Sequence, residues 1–158
     1  MGKAFDKIME ALDDLKEGRF TVRTITPPKP IRLQLSRRKG FDLQALSIAA
    51  NGLHAVNVAR PSKWGNPFTV KDCREAGFKG DDTALALRCV EAFRVWADTV
   101  YWQTNWQGPA SEARREAILR SLPSIRGKNL ACWCKAGDPC HSDVLLEMAN
   151  RPICEEVA

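Results

Sequence analysis

The chain has 158 residues, of which 44% are hydrophobic and 27% charged, and its formal net charge is +5. This length suits one domain with its own hydrophobic core, and the composition is ordinary for a globular protein. No apolar run approaches the roughly 18 residues that a membrane-spanning helix needs, and the first residues lack the apolar centre of a secretory signal. We therefore expect a cytoplasmic protein and exclude collagen-like, disordered, secreted and membrane-spanning classes.

The sequence predicts four parts in order. Residues 1–18 place apolar side chains at helical spacing, which predicts an amphipathic N-terminal helix whose residues 4–17 could dock on the domain or on a partner. Residues 19–30 are basic and proline-rich and predict a linker. Residues 31–152 are predicted to form a single α/β domain, and residues 153–158 to form a tail.

Strands and helices alternate along the predicted domain. Apolar and β-favouring runs predict strands over 31–36, 54–59 and 128–134. Helical spacing predicts helices over 42–50, 82–102, 111–121 and 138–150. Their expected N-caps include Asp42, Ser111 and Asp138.

The predicted fold class is α/β, with a small, mostly parallel, Rossmann-like sheet, flanking helices and the N-terminal amphipathic helix. Right-handed crossovers make strands parallel, so the loops 60–68 and 135–139 should both leave the carboxyl ends of their strands. This edge of an open α/β sheet is where ligands bind. We therefore expect the two loops to meet there and to form a site.

Three of the six cysteines are clustered beside one of the two histidines, as Cys132, Cys134, Cys140 and His141. These four residues could bind zinc, although their spacing differs from that of common zinc motifs. Adjacent helical side chains also point about 100° apart, which argues against a shared ion for Cys140 and His141. Alternatively, Cys140 is a catalytic thiolate at a helix N-terminus with His141 beside it, in a cysteine-dependent enzyme acting on a nucleotide-like substrate. In the third interpretation the cysteines only pack a strand against a helix.

The loop after the second predicted strand carries residues suited to an anionic ligand with a flat ring. They are Arg60, Lys63, Trp64, Gly65 and Asn66. The two cations would bind the anion, the indole would stack on a ring, and the glycine and asparagine would allow close backbone approach. Backbone N–H groups within the segment 139–142, in which Pro139 itself has none, could add to a phosphate site. The simpler interpretation is that the aromatic residues of this loop fill the core.

The positive charge is concentrated in residues 19–41, which hold seven basic and no acidic residues. Such a segment predicts an anionic partner, which makes a nucleic-acid-binding module with structural or zinc-bound cysteines the alternative function. The residues that would contact nucleic acid are Arg32, Arg37, Arg38 and Lys39. A solvated basic linker is the simpler interpretation.

Four stretches of the chain resemble one known family. They are RLQLSRRKGF (32–41), VNVARPSKWGNPF (56–68), LPSIRGKNLACWC (122–134) and CHSDVLLEMAN (140–150). The chain resembles the domain of unknown function 4326 family (DUF4326), small proteins common in phages and their bacterial hosts. The resemblance extends over about residues 30–150, and KWGNPF and ACWC…CH are its most specific motifs. The resemblance therefore implies membership of this family but does not imply any particular enzymatic reaction.

Overall fold

The sheet is built from three short strands that pair in parallel. The computed structural model describes residue 9 and residues 27–98 and 108–152. The strands are β1 (Arg32–Gln34), β2 (Ala55–Asn57) and β3 (Asn129–Cys132), in the order β1-β3-β2. In register, Leu33 lies beside Ala131, and Val56 lies beside Leu130. The predicted parallel α/β sheet is confirmed, with β3 in the middle.

Five α-helices are found in the described ranges. They are α1 (Leu43–Asn51), α2 (Val70–Glu75), α3 (Asp82–Ala97), α4 (Pro109–Ser121) and α5 (His141–Ala149), with a 3-10 turn at Leu122–Ile125. The predicted cap of α1 is confirmed, because the Asp42 carboxylate accepts from two backbone N–H groups and Gly52 ends the helix at a φ of 77°. Helix α2 was not predicted. It begins with a capping box formed by Thr69 and Asp72, but it is too short to show an apolar face.

Two predicted N-caps are wrong. Helix α4 begins at Pro109, and the Ser111 hydroxyl lies inside its first turn, where it accepts from the Trp96 indole at 2.8 Å. Helix α5 begins at His141 rather than near Asp138, because residues 135–138 form a turn and the extended Cys140 is the N-cap. The start of this helix is therefore displaced toward the carboxyl end of the chain.

Some predictions fall outside the described residues. These are the helix over 1–18 apart from residue 9, most of the linker over 19–30, the tail over 153–158 and the part of the long predicted helix beyond residue 98. In the described ranges no helix has the length and apolar character required to cross a bilayer. Apart from residue 9, the described residues thus run from 27 to 152, with an interruption at 99–107.

Both faces of the central strand β3 are buried. All four residues of β3 are buried, and the neighbours Leu130 and Ala131 belong to different hydrophobic clusters. The larger cluster includes Phe93 and Trp96 of α3 and Leu145 of α5, whereas the smaller one includes Leu33 of β1 and Cys140. This alternation is expected for a parallel strand that is covered on both sides.

A buried amide closes the amino edge of the sheet. The Asn129 side chain is fully buried at the start of β3 and exchanges two hydrogen bonds with the Asn51 amide, at 2.7 and 3.0 Å. It also donates to the Ser47 hydroxyl at 2.8 Å and accepts from the backbone N–H of Ile31 at 2.8 Å. This one side chain therefore ties the chain before β1, and the middle and the last residue of α1, to the central strand.

Candidate functional site

The segments that follow β2 and β3 meet at the carboxyl edge of the sheet. A cavity of about 260 Å³ lies between them and is closed on a third side by α3. Its lining comes from residues 59–70, from residues 132–141 and from three side chains of α3. The predicted meeting of the two loops is observed, because neighbouring parallel strands present their carboxyl ends together.

The cysteines and the histidine converge at the floor of this cavity. Cys132 ends β3 and Cys134 lies beyond it, yet their sulfurs are 3.8 Å apart. The Cys140 sulfur lies 4.0 Å from Nδ1 of His141. One potential ligand atom from each of Cys132, Cys140 and His141 lies within 4.8 Å of the other two.

The premise of the geometric argument against a shared ion at Cys140 and His141 is wrong. It assumes that both residues are helical, whereas Cys140 is the N-cap, with a φ of −145° and a ψ of 134°. Its side chain therefore leaves an extended backbone and points back toward the histidine ring. The sequence pattern could not show this, because it placed the helix start before Pro139.

The cluster stabilises charge on two of its members. The pKa of the Cys140 thiol is lowered by hydrogen bonds to Cys132 and Cys134, which outweigh its burial, and its contacts with His141 and Ser142 act in the same direction. Burial opposes the charged form of His141, but interactions with Cys132, Cys140 and the Val58 carbonyl raise its pKa to about 9. The arrangement thus favours a thiolate beside a histidine.

His141 is fixed from its far side. Its Nε2 lies 3.0 Å from the Val58 carbonyl oxygen, and the Phe93 ring meets the imidazole edge-on with centroids 5.5 Å apart. A carbonyl oxygen only accepts, so Nε2 carries the hydrogen and donates it. In neutral His141, Nδ1 is then the free acceptor on the side of the cysteines.

Arg60 and Lys63 lie in different surroundings. Arg60 is exposed and lines the cavity, and its guanidinium has no hydrogen bond or ion pair with any residue that the structure describes. Lys63 does not line the cavity, and its ammonium group donates to the Ser121 hydroxyl at 2.9 Å. Of the two cations that the sequence predicted to bind an anion, only Arg60 therefore lines the cavity.

The other predicted loop residues are buried. Trp64 belongs to the larger hydrophobic cluster, which is the arrangement expected if the indole fills the core. The Asn66 amide donates to the Cys89 carbonyl of α3 and accepts from the N–H of Phe68. A Cβ on Gly65 would lie 2.5 Å from Cγ of Arg60, so the glycine makes room for the arginine. Together these residues hold the loop in the shape that presents Arg60.

Sequence reasoning missed two residues of the site. Cys89 of α3 lines the cavity, and its sulfur lies 3.4 Å from that of Cys73, while burial raises its pKa to about 12. Trp133 is 44% exposed and also borders the cavity. Trp133 could have been predicted as a site residue from its place between two cysteines at the end of a buried strand. The sequence around Cys89 indicated only an apolar helix face that packs in the core.

The basic turn lies at the same edge of the sheet. Arg37 and Arg38 line a second depression beside Trp133, and the Arg37 guanidinium is 5.0 Å from the centre of the indole ring. Lys39 is exposed on the same turn. Arg32 is occupied internally, because its guanidinium pairs with Asp143 at 2.7 Å and donates to backbone carbonyls of the 135–138 turn.

Comparison with known proteins gives one match. A family described as a domain of unknown function (DUF4326) matches residues 47–151, about two thirds of the chain. No curated protein and no solved structure matches. The match includes the 60–68 loop and the whole cysteine-histidine cluster, but it begins after β1 and the basic turn, later than the resemblance had indicated.

Proposed function

The chain belongs to the DUF4326 family, and we propose that it binds a nucleotide-like or other phosphate-bearing small molecule at the carboxyl edge of its sheet. The observation that carries this proposal is the Arg60 guanidinium, exposed at the cavity and without a hydrogen bond or ion pair among the described residues. A guanidinium offers a planar fork of donors that matches phosphate oxygens. The cavity, at about 260 Å³, is close to the size of a small-ligand pocket.

Binding is favoured over covalent chemistry at Cys140. Its side chain lines the cavity, but the residue is only 2% exposed, and its sulfur is surrounded by Cys132, Ser142 and His141. A nucleophile needs an open line of approach to the atom that it attacks. Cysteine-dependent catalysis therefore stays a prediction of the sequence, while Arg60 supports recognition of an anion.

Arg60→Ala should weaken ligand binding. The loss of a hydrogen bond to a charged group costs about 1.5–3 kcal/mol, which corresponds to roughly a 10- to 150-fold rise in Kd. Isothermal titration with a panel of nucleoside 5′-monophosphates and diphosphates and inorganic phosphate checks this. Lys63→Ala is the matched control, because it removes a loop cation that lies outside the cavity, and its Kd should stay within about 3-fold of the wild-type value. Absence of binding by the wild type, or equal effects of the two variants, would contradict the proposal.

A second candidate function is binding of single-stranded nucleic acid across the basic turn. The observation that favours it is Arg37, which lies over the exposed Trp133 ring with Arg38 nearby. Proteins that bind single strands combine aromatic stacking surfaces with cations that follow the backbone. Trp133 borders both this depression and the cavity, so a nucleotide in the cavity could continue into a longer strand.

The double variant Arg37→Ala/Arg38→Ala should bind a short single-stranded oligonucleotide more weakly and with a flatter salt dependence. Removing two phosphate contacts should reduce the slope of log K against log salt by about 1.4. Fluorescence anisotropy at several salt concentrations measures this slope. Lys79→Ala/Lys128→Ala removes the same charge at exposed positions away from the turn and should leave the slope unchanged. The candidate fails if the wild type does not bind at low salt, or if both variants change the slope equally.

A further inference from the structure

We propose that Cys132, Cys134, Cys140 and His141 together bind one zinc ion. In a tetrahedral site with zinc–sulfur bonds of about 2.3 Å, two ligand sulfurs lie about 3.8 Å apart. The sulfurs of Cys132 and Cys134 are separated by 3.8 Å, and the Cys140 sulfur lies 4.0 Å from Nδ1 of His141. Cys132, Cys140 and His141 have their ligand atoms within 4.8 Å of one another. These three ligand atoms therefore already stand close to the spacing that the ion imposes, and the Cys134 sulfur, which lies outside this group of three, contacts that of Cys132 and would be the fourth ligand.

The surroundings orient these side chains as a zinc site requires. Zinc-bound histidines almost always donate their second ring N–H to a carbonyl or carboxylate, which fixes the tautomer and ring direction. Nε2 of His141 meets the Val58 carbonyl at 3.0 Å, so Nδ1 is the nitrogen directed at the sulfurs. The Ser142 hydroxyl lies 3.0 Å from the Cys140 sulfur and can donate a hydrogen bond to this sulfur when Cys140 is a thiolate. The cluster thus has supporting partners on both its nitrogen and its sulfur side.

The chemistry of the donor set selects the metal. Three thiolates and one imidazole in a tetrahedral arrangement are typical of zinc, whereas magnesium and calcium prefer oxygen ligands. Four protein ligands leave no open position, which assigns the ion a structural role. It would fasten the end of β3 to the start of α5 and so form a rigid floor under the cavity.

The other close cysteine pair serves as an internal comparison. The sulfurs of Cys73 and Cys89 are 3.4 Å apart, but among the described residues they do not belong to a group of three or more metal-binding side chains. A contact between two thiols is thus found elsewhere in this chain without a histidine and a third cysteine beside it. The convergence of the Cys132, Cys140 and His141 ligand atoms, with Cys134 in contact with one of them, is what distinguishes the proposed site.

The first test is metal analysis of the full chain, purified without a tag under reducing conditions. We expect about one zinc per chain. After exchange with Co²⁺, visible spectroscopy should show the intense bands of tetrahedral cobalt together with thiolate-to-cobalt charge transfer. This measurement needs no variant and no ligand of the cavity, so its outcome is separate from that of the anion-binding test. Absence of zinc together with a cobalt spectrum that lacks thiolate bands would overturn the proposal.

The second test compares two half-buried cysteines, Cys134 and Cys73. Even outer partners of zinc ligands contribute about 10- to 100-fold to affinity, so Cys134→Ser should weaken zinc binding by roughly 100-fold or more. It should also remove about one third of the charge-transfer intensity, since one of three thiolates is lost. Cys73→Ser should keep the affinity and spectrum of the wild type. If Cys134→Ser kept the zinc affinity and spectrum of the wild type, or if both variants lost affinity equally, the assignment of these four residues as the zinc ligands would be overturned.

Discussion

Phe93→Ala lowers the free energy of unfolding by about 3–5 kcal/mol, as expected for truncation of a fully buried aromatic side chain. Phe93 lies on α3 at the centre of the larger cluster, 5.8 Å from the Trp96 ring and 5.5 Å from the His141 ring. Its removal leaves a cavity that rigid neighbours on α3 and α5 fill only in part. Urea denaturation followed by tryptophan fluorescence measures this loss.

Phe78→Ala is the matched control for this prediction. Phe78 is 38% exposed and its ring contacts the guanidinium of Arg88, so its truncation should cost about 1 kcal/mol or less. A loss of less than about 1 kcal/mol for Phe93→Ala would show that α3 does not pack as described. Equal losses for both variants would contradict the placement of Phe93 at the centre of the core.

Asn129→Ala should lower the free energy of unfolding by about 2–4 kcal/mol. The substitution removes the four hydrogen bonds that the Asn129 side chain makes with the Ser47 hydroxyl, the Asn51 amide and the backbone N–H of Ile31. The Ser47 and Asn51 side chains keep their bonds to Leu53 and Lys29, so the expected loss is that of several hydrogen bonds at about 0.5–1.5 kcal/mol each. The same denaturation experiment measures the loss, and hydrogen exchange at the amide of Ile31 should become faster.

Asn57→Ala provides the comparison for Asn129. Asn57 is an exposed residue of β2 whose side chain accepts a hydrogen bond from the backbone N–H of Ala59 and from no other residue that the structure describes. Its replacement should cost about 1 kcal/mol or less. If Asn129→Ala were as mild as Asn57→Ala, the buried amide network would not hold the strands together in solution.

The sheet could be predicted from the sequence because its signals are local. The alternation around Leu33 and the buried run around Leu130 identify strands, and the chain between β2 and β3 is long enough for a crossover. The helix starts were harder to predict. Asp138 followed by proline is typical of an N-cap, but the turn formed by residues 135–138 lets the chain continue in extended form to Cys140.

The site was predictable in position but only partly in its contacts. The sequence predicted that the 60–68 loop and the cysteine cluster would meet, since this follows from strand direction. It could not show that Trp64 and Asn66 are used inside the fold, because their partners lie far away along the chain, on α3 for the asparagine. Likewise, the internal use of Arg32 depends on Asp143, more than 100 residues away.

The position of β3 in the sheet decides when the sheet can form during synthesis of the chain. Within the described sheet β1 and β2 pair only with β3, which is the last of the three strands to leave the ribosome. Until then, both earlier strands present open edges that invite pairing with other chains. The sheet, its buried amide and the cysteine cluster therefore form together late in synthesis. A nascent chain that stops before residue 129 lacks β3, so its β1 and β2 edges stay unpaired.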